Sequence, residues 1–102
     1  GLQIDSGAFI KAIEYATSTE SIVVGKPTMD FFNLALKDIK IKRENIAMIG
    51  DDLINDIQGA QLSGLKAILT KTGKYDQNIV KSSSINPDLI IDSIAKLAHL
   101  IQ

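Results

Sequence analysis

The sequence predicts an α/β fold, a parallel sheet flanked by helices. Three observations lead there. Four segments carry apolar residues at helical spacing, four short apolar runs without alternation lie between them, and the two kinds interleave along the chain. Strands that are apolar on both faces belong in a parallel sheet covered by helices.

In chain order, Phe9, Ala12, Ile13 and Ala16 fall at i, i+3, i+4 and i+7 behind Asp5 or Ser6, which predicts a capped helix. Ile22-Val23-Val24 is read as a strand. Phe32, Ala35, Leu36 and Ile39 repeat the helical spacing behind Pro27-Thr28, a good helix start. Ile46 to Ile49 is the next strand. Leu53, Ile57 and Ala60 form a shorter stripe that ends before Gly64, a natural C′ residue. Ala67 to Thr70 and Leu89 to Ile91 are the remaining strands. Ile94, Leu97, Ala98 and Ile101 make the last helix, behind Asp92 or Ser93. Lys81 to Ser84 reads as a loop.

Composition narrows the function classes. A length of 102 residues suits one small domain or part of a larger one. Eleven Lys/Arg against twelve Asp/Glu give a net charge of −1, which argues against nucleic acid or an anionic membrane as partner. Zero cysteine excludes a disulfide scaffold, a thiolate metal site and a Cys nucleophile. No apolar run approaches the ~20 residues of a membrane span, and no signal-peptide pattern opens the chain. A cytoplasmic location is expected.

In open parallel sheets, ligands sit beyond the carboxyl ends of the strands. The most informative such segment is Gly50-Asp51-Asp52-Leu53-Ile54-Asn55-Asp56. Gly50 lets the backbone turn sharply as it leaves the strand. Asp51 and Asp52 stand where a helix begins, with Asp56 one turn on. One like-charge pair roughly 4 Å apart costs about 4 kcal/mol at an effective dielectric near 20. A helix N-terminus offsets only about 0.3–1 kcal/mol per carboxylate. Converging carboxylates therefore need a cation, and an all-oxygen donor set suits Mg²⁺. Asp at a helix start is also an ordinary cap, and Asp56 could be a solvated first-turn residue.

Lys26 follows a strand and precedes Pro27, which biases it toward an extended backbone. Such a lysine can serve as a point charge for a phosphate or a carboxylate, or be a plain surface lysine. Gly25-Lys26-Pro27-Thr28 is not a P-loop ending, because Glu20 stands where that loop needs a glycine. Lys71 to Lys74 reads as a solvated turn, and His99 as a surface or boundary residue.

Gly25-Lys26-Pro27, followed about 25 residues later by an apolar strand and Gly50-Asp51-Asp52 with Asp56 four further on, resembles motifs III and IV of the haloacid dehalogenase (HAD) superfamily of phosphatases. The stretch from Gly7 to Ala16, Gly59-Ala60-Gln61 and Lys71-Thr72-Gly73-Lys74 look like the subgroup with a large α/β cap, the NagD and p-nitrophenyl-phosphatase-like proteins. The resemblance implies a partial HAD-like (Rossmann-like) core, with 1–20 as the tail of a cap and 21–102 as the C-terminal half of the core. It implies Mg²⁺-dependent hydrolysis of phosphate monoesters through an aspartyl-phosphate. Lys26 would pair with the nucleophile and neutralise the transferring phosphoryl group. Asp51 would ligate Mg²⁺. Asp52 and Asp56 would hold metal-bound waters or orient Lys26.

The family's nucleophile motif, Asp-x-Asp, does not occur in these residues. The chain resembles less than half of a family member, and the 102 residues alone are expected to be inactive. The alternative is a non-catalytic, truncated module that binds metal or a partner. A response-regulator receiver fits poorly, since Lys26 precedes Asp51 here. In the family the nucleophile strand lies beside the one matching Ile46–Ile49. Without it, an apolar edge is left open and predicts self-association, a rearranged sheet or marginal stability.

Overall fold

A computed structural model describes residues 4–101. The expectation for 1–20 therefore falls partly, at residues 1–3, outside the described residues. The order is helix α1 (Ser6–Thr17), helix α2 (Met29–Leu36), a 3-10 turn (Arg43–Asn45), strand β1 (Ala47–Gly50), a π-helical segment (Leu53–Gln58) running into helix α3 (Gly59–Leu62), strand β2 (Lys66–Thr70), helix α4 (Gln77–Ser82), strand β3 (Leu89–Ile91), a 3-10 turn (Ile94–Lys96) and helix α5 (Leu97–Leu100). The sheet order is β1-β2-β3, and both pairings are parallel. The α/β class with a parallel sheet is thus present.

Capping follows the sequence closely. Asp5 accepts from the Gly7 amide at the start of α1, and Thr28 accepts from the Phe31 amide at the start of α2. Gly64 takes the left-handed conformation, φ 84°, just beyond α3, as a C′ glycine does. Helix α4, which Asp76 caps through the Asn78 and Ile79 amides, was not expected. Its six residues carry too short a pattern to show a period.

Ile22 to Val24 is not a strand. The segment is irregular and exposed, with Ile22 at 83% and Val24 at 65% of full accessibility. A strand needs a hydrogen-bonded neighbour, and among the described residues none lies beside this run. Likewise α2 ends at Leu36, short of Ile39.

The core is one cluster: Phe32, Leu53, Ile57, Ala60, Leu65, Ala67 and Leu69. It joins α2, the π/α3 segment and the middle of the sheet. Ile57 and Leu69 are fully buried. Outside this cluster much apolar surface is bare. In α1 every residue but Glu14 is exposed, including Phe9 and Ile13 of its apolar stripe. The radius of gyration is 16.5 Å, against about 13 Å for a compact chain of this length.

At the β2–β3 junction, Asp88 Oδ2 accepts from the Ala67 amide at 2.8 Å and from Gln61 Nε2 at 3.3 Å. The Ala67 amide, more than Gln61, holds the Asp88 carboxyl below its usual range. This contact fixes where β3 begins against β2.

Because Leu69 fills the centre of so small a core, Leu69→Ala should lower unfolding stability by about 2–5 kcal/mol. Urea denaturation checks this, and an unchanged midpoint would contradict the assignment of this cluster as the core.

Candidate functional site

The site forms where β1 ends. A Cβ at Gly50 would overlap the carboxylate of Asp56, so only glycine lets that side chain close over the strand end. The chain then makes a wide turn. The Asp52 carbonyl accepts from both the Asp56 amide (2.9 Å) and the Ile57 amide (3.2 Å), the signature of a π-helical turn. Such turns recur at functional sites. Here the turn brings Asp56 back against its own start, and Asp56 Oδ2 accepts from the Asp52 amide at 3.2 Å.

Asp56 is buried, with its side chain 5% exposed, and Lys26 Nζ donates to its Oδ1 at 2.5 Å. The Asp56 hydrogen bond, with the charges of Asp52 and Asp51 adding to it, holds the Lys26 ammonium above its ordinary pKa. Loss of Lys26 would leave a buried charged acceptor short of a partner, at a cost of about 1–3 kcal/mol. Neighbouring contacts set this pair. A Cβ on Gly59 would come within 2.8 Å of Phe32 Cε2 and 2.9 Å of Pro27 Cβ. Gly59 stands three residues after Asp56, on the same face of the turn. Consecutive residues Lys26 and Pro27 thus meet Asp56 and Gly59.

Asp52 caps the same turn. Its Oδ1 accepts from the Ile54 and Asn55 amides, and its Oδ2 from Asn55 Nδ2 (2.9 Å) and Lys74 Nζ (3.1 Å). The Asn55 amide is the main cause that lowers the Asp52 carboxyl to about 2; the Asn55 side chain and Lys74 add to it. Asp51 Oδ2 accepts from the Lys74 amide at 2.7 Å, and its Oδ1 takes no such bond among the described residues.

The structure therefore brings Lys26, Asp51, Asp52 and Asp56 to one strand end, but not into one cavity. Asp51 and Asp52 line a cleft of about 220 Å³ with Lys74, Tyr75 and Asp76. Lys26 lines a second groove, of about 320 Å³, with Phe31, Phe32 and Met48 along the outer edge of β1. Among the described residues no three Asp, Glu or His side chains are grouped so as to hold a metal. Part of the positive charge that the acidic turn calls for comes from protein, Lys26 at Asp56 and Lys74 at Asp52. Sequence reasoning named Gly73 and Lys74 within the Lys71 to Lys74 segment but read it as a solvated turn and gave them no role at the acidic turn. Their signal was a glycine between lysines directly after a strand, which also describes a solvated turn.

The donor set fits a hard divalent ion. It is all oxygen, and Asp51 keeps one carboxylate oxygen free of protein donors. Mg²⁺ takes one or two carboxylates and fills its remaining positions with water or phosphate oxygens.

A parallel α/β sheet with polar groups gathered at a strand end is the arrangement of open α/β domains, which bind ligands there. The chain belongs among them to the HAD-hydrolase-like family, whose model matches residues 23–97. It is 39% identical over 101 residues to the phospholysine phosphohistidine inorganic pyrophosphate phosphatase of Danio rerio, covering 99% of this chain and 37% of that protein. Among solved structures it is similar to NagD of E. coli, at a TM-score of 0.79 and 29% identity, over 88% of this chain and 36% of that one. It is also similar to a glycerol phosphate phosphatase of Mycobacterium tuberculosis in complex with magnesium, at a TM-score of 0.69 and 26% identity, over 88% of this chain and 27% of that one. The chain thus spans little more than a third of the length of the curated relative it matches.

A depressed carboxyl stabilises the fold above its unfolded pKa and loses that contribution as pH falls through the folded value. For Asp52 the window runs from 3.8 down to about 2. Stability should drop across it by about 2 kcal/mol on this group's account. Asp52→Asn, which still caps the turn, should flatten that part of the stability–pH curve in acid titrations followed by circular dichroism. An unaltered curve would contradict the lowered Asp52 carboxyl, since the variant keeps the cap.

Proposed function

We propose that this chain is the C-terminal part of a Mg²⁺-dependent phosphatase that hydrolyses small phosphate monoesters through an aspartyl-phosphate. Residues 1–20 then form the tail of a cap and 21–102 the C-terminal half of the core. The observation that carries this is the Lys26–Asp56 ion pair beside Asp51 at the end of β1. The family match and the magnesium complex of a similar phosphatase support it.

Phosphoryl transfer is mostly positioning and charge stabilisation. In this reading an upstream aspartate attacks phosphorus as a second upstream carboxyl gives its proton to the departing alcohol; that carboxylate then takes a proton from the water that hydrolyses the acyl-phosphate. Lys26, held charged by Asp56, neutralises the nucleophile and the phosphoryl oxygens. Asp51 would hold Mg²⁺ directly, and Asp52 and Asp56 would fix the turn that presents it. When bound, the ion supplies charge stabilisation for the phosphoryl oxygens. Nucleic acid and membrane are not partners in this proposal. No helix among the described residues is long and apolar enough to cross a membrane. A cytoplasmic setting, consistent with the absence of cysteine, belongs to the same proposal.

These 102 residues alone should show no turnover of p-nitrophenyl phosphate with Mg²⁺. The full-length protein should show it, with Asp51→Ala or Lys26→Ala lowering kcat by at least about 10²-fold. Turnover by the 102 residues that Asp51→Ala abolishes would overturn the claim that the nucleophile lies upstream.

The outer edge of β1 pairs with no strand among the described residues, and an apolar groove runs along it. Such edges recruit other strands. The 102 residues alone should therefore gain mass with concentration in sedimentation velocity. A sharp, concentration-independent monomeric melt at high temperature would contradict this.

A further inference from the structure

We propose that Gly73 and Lys74 are positioning residues for Asp51: their loop clamps one oxygen of the Asp51 carboxylate and leaves the other to face a divalent cation. The inference rests on the phosphatase reading above and deepens it.

The clamp has two parts. The Lys74 amide donates to Asp51 Oδ2 at 2.7 Å. Gly73 lies against the same oxygen so closely that a Cβ there would overlap it. Its φ of +54° is in the left-handed region, which glycine enters without penalty. A side chain at 73 would therefore push the carboxylate out of its seat.

The direction of control follows from how the loop is anchored. On one side, Thr70 and Thr72 share a hydroxyl hydrogen bond of 2.9 Å, and Thr70 is buried at the end of β2. On the other, the Tyr75 amide donates to the Thr72 carbonyl at 3.0 Å, and the Tyr75 ring packs on the core. Both anchors are independent of Asp51. The loop is thus held by the fold, and the carboxylate is held by the loop. Two-point restraint selects one rotamer of Asp51 before any ion arrives, and groups that orient a metal ligand typically control affinity by 10–100-fold.

The test is Mg²⁺ binding to the full-length protein by calorimetry, beside the metal-free melting temperature. Gly73→Ala should weaken Mg²⁺ binding by about tenfold or more. Gly73→Asn should do the same, since Asn tolerates the left-handed backbone but still carries a Cβ. Lys71→Ala, in the same loop but facing Asp92 at 3.9 Å, should leave binding unchanged. If Gly73→Asn binds Mg²⁺ like the natural protein while Gly73→Ala does not, backbone conformation alone is at work and the clamp is overturned. Unchanged binding in both overturns it too. Unchanged binding in Asp51→Ala overturns the Mg²⁺ reading itself, a separate outcome. Should the Gly73 variants fail to fold, amide hydrogen exchange decides. The Lys74 amide should exchange at least about tenfold faster in Asp51→Ala than in the natural protein, and equal rates would sink the clamp.

Discussion

The arrangement depends on a carboxylate buried at the end of a strand. Asp56 is 3% exposed and is held by one ammonium and one backbone amide. A buried charge is tolerable only when paired and hydrogen-bonded. Meeting that condition constrains residues far apart in sequence. Gly50 must lack a Cβ so that the carboxylate fits, and Gly59 must lack one so that Pro27 can approach. The turn from Leu53 must be wide enough to return Asp56 to the Asp52 amide. Lys26, thirty residues earlier, must arrive from the far side.

The second consequence is charge balance. Three carboxylates within one turn are offset in part by two ammonium groups and several backbone amides. Lys26 comes from the segment before α2 and Lys74 from the loop after β2. Of the three carboxylates, Asp51 is the one that keeps an oxygen unclaimed by protein donors among the described residues. In the reading proposed above such a site would be preorganised, because the Lys74 amide already holds one of the two Asp51 oxygens.

The rest of the chain is organised more loosely. Among the described residues the sheet has a free edge at β1 and the α1 stripe lies bare, and the radius of gyration exceeds that of a compact domain. The core spans only the elements around the site. The buried core therefore lies beside the candidate site, while the apolar stripe of α1 stays exposed.

Local rules made much of this legible in advance. The caps at Asp5 and Thr28, the C′ glycine at Gly64, the unbroken apolar runs of β1, β2 and β3 and the acidic turn after Gly50 depend on neighbours a few residues away, and the sequence carries such neighbours explicitly. Ile22 to Val24 misled for the complementary reason: its side chains suit a strand, but a strand exists only where another lies alongside. The short α4 had too little pattern to show. What tertiary structure alone decided is the pairing across distance. For Lys26 the family resemblance already pointed to Asp56, though no local rule did, whereas nothing local separates Lys74 from any lysine in a turn until the fold brings it to Asp51 and Asp52. Residue types and spacing determined which groups were on offer. Only packing of the three glycines, Gly50, Gly59 and Gly73, against their particular partners decided which groups meet, because a missing Cβ is a space whose use depends on what arrives from elsewhere in the chain.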